Sequence, residues 1–412
     1  MNELYLADRK KQAEFEDKVV KKLQTGKLFS NSEVLLAKEN LKRLWKLFVD
    51  SDMQLLTYYS LRKDMEPKEV LDIFKRINST GMVLTNSEIL FSELKNTQFD
   101  FEEQIWDADL LMEKQTGGLS IGPDDILQTL HLLVKDSTRV DPERIKESDL
   151  KDFISVWAGL ESPLKSFLYD FLYREFKITH EKILAHKRVL IPLIAYFYYL
   201  RTGGNKFQNI SATSLSKMKK YLIYSQLLDW DLQTYVDNFS KIIKAKFKNN
   251  KNPDFPFTDI LNFVQNSGRR RTDLISEDLN SAHRWFVLKI LTPTTAFTFL
   301  KDPNGERFSP EVDHIFPPFP GYPVPYPTAF YDLGDSVWNL QPVKGTINNL
   351  KLDSQPKDFF VKYPQYLKDY DFLPTTNLND QKWLPQFADQ FVLTRKDKIV
   401  AWMNSNYGLQ IT

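Results

Sequence analysis

The chain has 412 residues, a length that suggests two or three domains and suffices to bury a core without disulfides. Hydrophobic residues make up 42% and charged residues 26%, which excludes a mainly disordered chain. There is no cysteine, so thiol nucleophiles, disulfides and Cys-based zinc sites are all excluded. That absence fits a reducing compartment, so a cytoplasmic location is expected. Net charge is +1, from 55 basic and 54 acidic residues, so any basic footprint must be local.

No stretch is expected to cross a membrane. The most apolar run, 189–200, contains Pro192 and is flanked by Lys187, Arg188 and Arg201. It falls short of the roughly 20 apolar residues that a crossing helix needs. Residues 1–265 read mainly as helix and are expected to form a helical domain. A second domain is expected over 266–412. Near residue 67, Pro67 in a first turn starts one helix, whose apolar stripe is Val70, Leu71, Phe74 and Ile77. Asn78, Ser79, Thr80 and Gly81 stop it. Thr85 and Glu88 form a capping box for the next helix, with Leu84 and Ile89 as its staple. Helical periodicity then predicts helices over 124–134, 163–176, 180–200, 214–225 and 234–246.

Basic clusters follow. The run 241–251 reads as a solvated helix end. Arg269, Arg270 and Arg271 are a candidate phosphate contact, because guanidinium forks match phosphate oxygens. A surface loop with no partner accounts for them equally well. After residue 300 the texture changes. A strand is expected within 308–316, then a rigid loop with six prolines between 317 and 327. A second strand is expected over 336–343 and a short helix over 344–352. From about 380 the pattern is helical again, through Phe387, Phe391, Ile399 and Trp402.

Of five histidines, His131, His180, His186 and His283 stand in amphipathic helical contexts and read as structural or surface groups. His180 and His186 are not four apart, so they do not form a helical zinc pair. His314 differs. It lies in Val312-Asp313-His314-Ile315-Phe316-Pro317 at the end of an expected strand. Asn339 follows on the second strand and Asn348 on the helix, nine positions later. Taken singly, Asp-His on a strand and Asn in a loop have structural explanations. Taken in order, they resemble the HNH nuclease signature on a ββα-metal fold. The implied architecture is a helical bundle followed by a small α+β nuclease domain, in a mainly α chain.

That resemblance implies a division of labour. Phosphodiester hydrolysis needs an activated water and charge stabilisation at phosphorus. His314 would be the general base, and Asp313 and Asn348 would hold one divalent ion, Mg²⁺ or Mn²⁺. Asn339 would bridge the loop and orient the His314 backbone. Lys344 or Lys351 would hold a phosphate.

The segment from Ile73 to Thr85, with Phe74, Arg76, Ile77, Asn78, Gly81 and Leu84, resembles GmrSD-type restriction proteins. These are bacterial anti-phage enzymes, many acting on modified DNA, with an NTP-dependent region ahead of a C-terminal HNH domain. The closing stretch from Phe391 to Trp402 resembles the last helix of that domain. One departure stands out: no Gln-Arg dipeptide occurs anywhere in the chain, although the family's nucleotide motif contains one. The resemblance thus implies a DNA endonuclease whose NTP-binding half is a missing segment or a partner subunit. No NTP hydrolysis by this chain alone is expected. A double-strand break would call for a homodimer or repeated encounters. The competing reading is a non-catalytic subunit that binds DNA or a partner, and an RNA substrate is not distinguished from DNA.

Overall fold

The computed structural model describes residues 85–281, 283–292, 310–319 and 324–412, with scattered positions before 85 and between 293 and 309. Of the two helices expected from Pro67 to about residue 95, the second is formed; of the first only Glu69, Val70 and Ile73 are described, all helical, and the loop with Asn78 and Gly81 lies outside the described residues. The chain divides into two units, Met1–Val83 and Leu84–Thr412, and the architecture below belongs to the second. The boundary expected between 265 and 266 falls inside that unit.

The unit is mainly helical. In chain order come α1 (Asn86–Thr97), α2 (Phe101–Thr116), α3 (Pro123–Lys135), α4 (Glu147–Ser166), α5 (Ile191–Thr202), α6 (Ala212–Leu227), α7 (Gln233–Phe247), α8 (Phe257–Ser267) and α9 (Arg284–Leu291). Local chemistry sets several of these ends. The capping box at α1 forms: Glu88 N–H donates to the Thr85 hydroxyl, and Glu88 accepts from Thr85 N–H at 2.7 Å. Pro123 occupies the first turn of α3, beside Asp124 and Asp125, and Lys135 closes it. Helix α5 is apolar almost all round, from Ile191 through Leu200, so it must be covered on every side. It packs between α4 and α7 and forms the bundle's centre. Buried hydroxyls around it are satisfied. Tyr196 donates to the Pro253 carbonyl at 2.8 Å and Tyr221 to that of Val189 at 2.8 Å.

The single helix expected over 180–200 is not formed. Glu181–Ile183 is an isolated 3₁₀ turn, Arg188–Leu190 is a 3₁₀ turn that leads directly into the α-helix, and the α-helix itself begins only at Ile191. The reason is competition for backbone amides. The His180 ring accepts from Lys182 N–H at 3.0 Å, and Gln226 accepts from the amides of Ala185 and His186. Pro192 then sits where a helix starts, not in its interior. The helix expected over 163–176 is absorbed into α4 and a π-helical continuation, Phe167–Glu175.

The remaining elements are short. β1 (Leu300–Lys301) pairs with β2 (Arg307–Phe308), and β3 (Glu311–His314) pairs antiparallel with β4 (Leu340–Val343). In the second hairpin Val312 faces Pro342 and His314 faces Leu340. Pro342 has no N–H, and it occupies a non-hydrogen-bonded position where none is needed. Helices α10 (Gly345–Lys351), α11 (Pro356–Lys362) and α12 (Ala388–Tyr407) complete the chain. The strands expected over 308–316 and 336–343 are thus shorter than anticipated. Residues 336–339 are taken by a turn, in which Ser336 N–H donates to Leu333 and Asn339 N–H to Ser336. The C-terminus is tied back where Leu274 bridges Ile411, and Ser276 N–H donates to the Thr412 carbonyl. Among the described residues, no helix is long and apolar enough to cross a membrane.

One buried charge gives a testable pH dependence. Lys289 in α9 is 9% exposed, and burial, with Lys177 nearby, pushes its ammonium down to about 8. An unfolded lysine titrates near about 10.4. Between those values the unfolded chain binds the additional proton, so this group makes stability rise with pH there. The stability gap between Lys289→Met and wild type should therefore narrow from about pH 8 to about pH 10.4 in urea denaturation. A gap that does not change over that range contradicts the assignment.

Candidate functional site

The three elements that carry the sequence signature are neighbours. β3 ends in Asp313 and His314, β4 follows Asn339, and α10 carries Asn348 and Lys351 against β3. The first turn of α10 lies beside the Glu311 side chain: a Cβ at Gly345 would stand 2.8 Å from its carboxylate oxygen, which would have to move aside.

Asn339 is fully buried and its side chain is used up holding backbone. Its Oδ1 accepts from Phe316 N–H at 3.0 Å. Its Nδ2 donates to the carbonyls of Phe316 at 2.8 Å and Gly334 at 2.7 Å. Its own carbonyl accepts from Ile315 N–H. It therefore fixes the chain just after His314 and the loop just before Asp335. It is expected to orient the His314 backbone, and the groups it bonds are those of Ile315, Phe316 and Gly334. It does not face solvent. Arg395 of α12 supports it from below. The buried guanidinium donates to the carbonyl of Trp338, to that of Asp371 at 3.0 Å and to Gln341 Oε1 at 2.8 Å. Burial pushes Arg395 down to about 10, which leaves it charged at neutral pH.

His314 is half-buried, with its side chain 30% exposed. Its Nε2 lies 2.9 Å from Oδ1 of Asp335, in the loop that Asn339 anchors. Arg284, at the start of α9, approaches both Asp335 oxygens at 3.4 and 3.5 Å. The His314 hydrogen bond, aided by the Arg284 charge, holds Asp335 below the usual carboxylate range. Sequence reasoning missed both Asp335 and Arg284. An Asp after Gly334 reads as turn chemistry, and Arg284 is 51 residues from its partner.

Three residues of the expected site, Asp313, Lys351 and Asn348, meet partners other than the metal or phosphate expected for them. Asp313 is buried, and both its oxygens are occupied. Oδ1 accepts from the Lys351 ammonium at 3.0 Å and Oδ2 from the Tyr370 hydroxyl at 2.7 Å. Lys351 also donates to the His314 carbonyl at 2.6 Å, and its side chain has no exposed surface. Burial pushes Asp313 up and Lys351 down, each against the pull of the other's charge. Lys351 is thus an internal cation, not a surface phosphate contact. Asn348 meets neither Asp313 nor His314. It donates to Glu311 at 2.6 Å, at the other end of β3.

The divalent ion implied by the HNH resemblance is therefore not accommodated by this donor set as arranged. The cation beside Asp313 is the Lys351 ammonium, and the Asn348 amide is engaged elsewhere. Among the described residues, no three His, Asp or Glu side chains converge as a metal site. For Asp313 and Asn348 to share an ion, Lys351 would have to leave Asp313 and Asn348 would have to leave Glu311.

The other expected phosphate contacts are dispersed. Lys344 is exposed at the N-cap of α10, beside the hairpin. Arg269 is exposed, and Arg270 is half-buried with its Nε lacking a partner. Arg271 is committed to Asp278, at 3.1 and 3.0 Å, and to the Asp273 carbonyl. The four other histidines are held by nearby groups. His131 meets the Ser137 carbonyl at 2.6 Å, and His186 lies between Asp229 and Asp231. Burial lowers both His131 and His283.

No protein-family model matches the chain, and no curated protein matches it.

The buried pair makes a direct prediction. Lys351→Met leaves the Asp313 carboxylate buried without its cation, which should cost about 3–5 kcal/mol. Lys351→Met with Asp313→Leu removes both charges and should recover much of that loss. Urea midpoints of the single and double variants decide it, and a double variant no more stable than the single would contradict the pairing.

Proposed function

We propose that the β3–β4–α10 corner is the phosphodiester-cleaving centre of a nuclease, with His314 as general base. The observation that carries this reading is the histidine itself. It is solvent-accessible, it ends a strand, and its Nε2 is taken by a carboxylate while its Nδ1 has no partner among the described residues. An imidazole so held can take a proton from water through Nδ1. The water oxygen then bonds to phosphorus as the bond to the 3′ oxygen breaks, and the departing 3′ oxygen takes a proton from solvent water, leaving a 5′ phosphate and a 3′ hydroxyl. Arg284 is an exposed guanidinium beside the site, and its long contacts to Asp335 leave it able to turn to a phosphate oxygen. Lys344 is a second exposed cation beside the site. In this reading Asn339 and Arg395 touch no substrate and keep the hairpin and loop in register.

The sequence resemblance supports DNA as the substrate, within a bacterial anti-phage restriction system of the GmrSD type. It also supports an NTP-binding partner subunit. A divalent ion belongs to that reading, and it requires the rearrangement of Lys351 and Asn348 described above. The commitment of Asp313 to Lys351 and Tyr370 favours a second reading, in which the chain binds DNA or a partner without cutting.

Supercoiled plasmid separates the two, using wild type and His314→Ala with Mg²⁺, with Mn²⁺ and with EDTA. The nuclease reading predicts nicking that falls about 10²-fold or more in His314→Ala. Equal nicking by the variant would sink the proposed mechanism. Binding without cutting, including in the presence of a candidate partner subunit, would establish the second reading. Arg284→Ala should weaken DNA binding and reduce the salt dependence by about one counterion. An unchanged salt slope would remove Arg284 from the phosphate contacts.

A further inference from the structure

We propose that Asp335 is the positioning residue of this centre, fixing the tautomer and ring orientation of His314 so that Nδ1 is the proton acceptor. The inference rests on the nuclease reading for its consequence in catalysis, but its geometry stands apart from it. An ionised carboxylate only accepts hydrogen bonds. The 2.9 Å contact between Asp335 Oδ1 and His314 Nε2 therefore places the hydrogen of the neutral ring on Nε2 and leaves Nδ1 bare. The carboxylate is ionised at neutral pH, since His314 and Arg284 both hold it low.

An exposed carboxylate orients a ring only if its own backbone is fixed, and Asp335 is 66% exposed on its side chain. The backbone is fixed on both sides. Gly334 is held through its carbonyl by Asn339, and a Cβ there would come within 2.9 Å of Pro318. Ser336 donates to the Leu333 carbonyl through both its amide and its hydroxyl, and Val337 N–H donates to Asn280. Asn339 also holds the backbone at Phe316, two residues after His314. One buried side chain thus sets the distance between the carboxylate and the imidazole. Arg284 approaches both oxygens of Asp335 only at 3.4 and 3.5 Å, so the aim of the carboxylate rests on the anchored loop and not on Arg284. The arrangement follows the general logic of a base oriented by a third group, with Asn339 in place of a rigid strand.

The test uses the full chain, with ¹⁵N-labelled histidine, at a pH where the ring is neutral. The His314 nitrogens of the wild type should show a protonated Nε2 and a bare Nδ1. Asp335→Ala should give a mixture of tautomers, and Asp335→Glu should restore the wild-type pattern in part. In plasmid cleavage Asp335→Ala should lower kcat about 10–100-fold with KM little changed, because Asp335 does not touch substrate. A loss of fold alone would not move the tautomer in a chain that retains its tertiary spectrum. An Asp335→Ala variant with the wild-type tautomer and the wild-type kcat overturns the proposal. A wild type that cuts no nucleic acid, while its tautomer still shifts on substitution, overturns the nuclease reading and leaves the positioning role supported.

Discussion

An ammonium group removed from water stays charged only if oxygen surrounds it, and Lys351 meets that condition. Asp313, the His314 carbonyl and, through Asp313, the Tyr370 hydroxyl form a connected set of hydrogen bonds in the buried interior. The set draws together three separate pieces: the end of β3, the last turn of α10 and the segment after α11. Removing any one polar member leaves another buried and unmatched. The orientation of β3, and with it the emergence of His314 at the surface, therefore depends on this pair. Asn339 and Arg395 extend the same principle: the Asn339 side chain bonds the backbone of Phe316 and Gly334, and Arg395 bonds the carbonyls of Trp338 and Asp371 and the side chain of Gln341.

The consequence is a division between a rigid buried network and a small exposed polar face. The network contains Asp313, Asn339, Lys351 and Arg395. The face contains His314, Asp335, Arg284 and Lys344. A motif read along the chain does not separate these, because adjacent residues of a strand point to opposite sides. Asp313 and His314 are consecutive, yet one carboxylate is sealed against Lys351 and the neighbouring imidazole meets an exposed loop. This alternation explains why a residue expected to hold a metal is found holding the fold.

Much of the architecture was legible in the sequence where the physics is local. Pro123 with its acidic first turn, the Thr85–Glu88 box and the apolar stripe of α12 all announce themselves within a few residues. The order of β3, β4 and α10 was also legible, because Asp313, His314, Asn339 and Asn348 mark it. The lost helix over 180–200 shows the limit. Its amides are taken by Gln226, about 40 residues away, which no window around His180 contains. The candidate site shows the same limit more sharply. The partners of Asp313 stand 38 and 57 positions downstream, and those of Asp335 lie on β3 and α9. Lys351 was noticed as a cation, but charge alone does not tell an interior ammonium from a phosphate contact.

In the nuclease reading His314 and Arg284 face a phosphodiester, with the buried network behind them. The most direct measurement is a crystal structure of His314→Ala with an uncut DNA duplex. A backbone phosphate should lie between position 314 and the Arg284 guanidinium. A duplex seated on another face of the unit, with position 314 open to solvent, would contradict it.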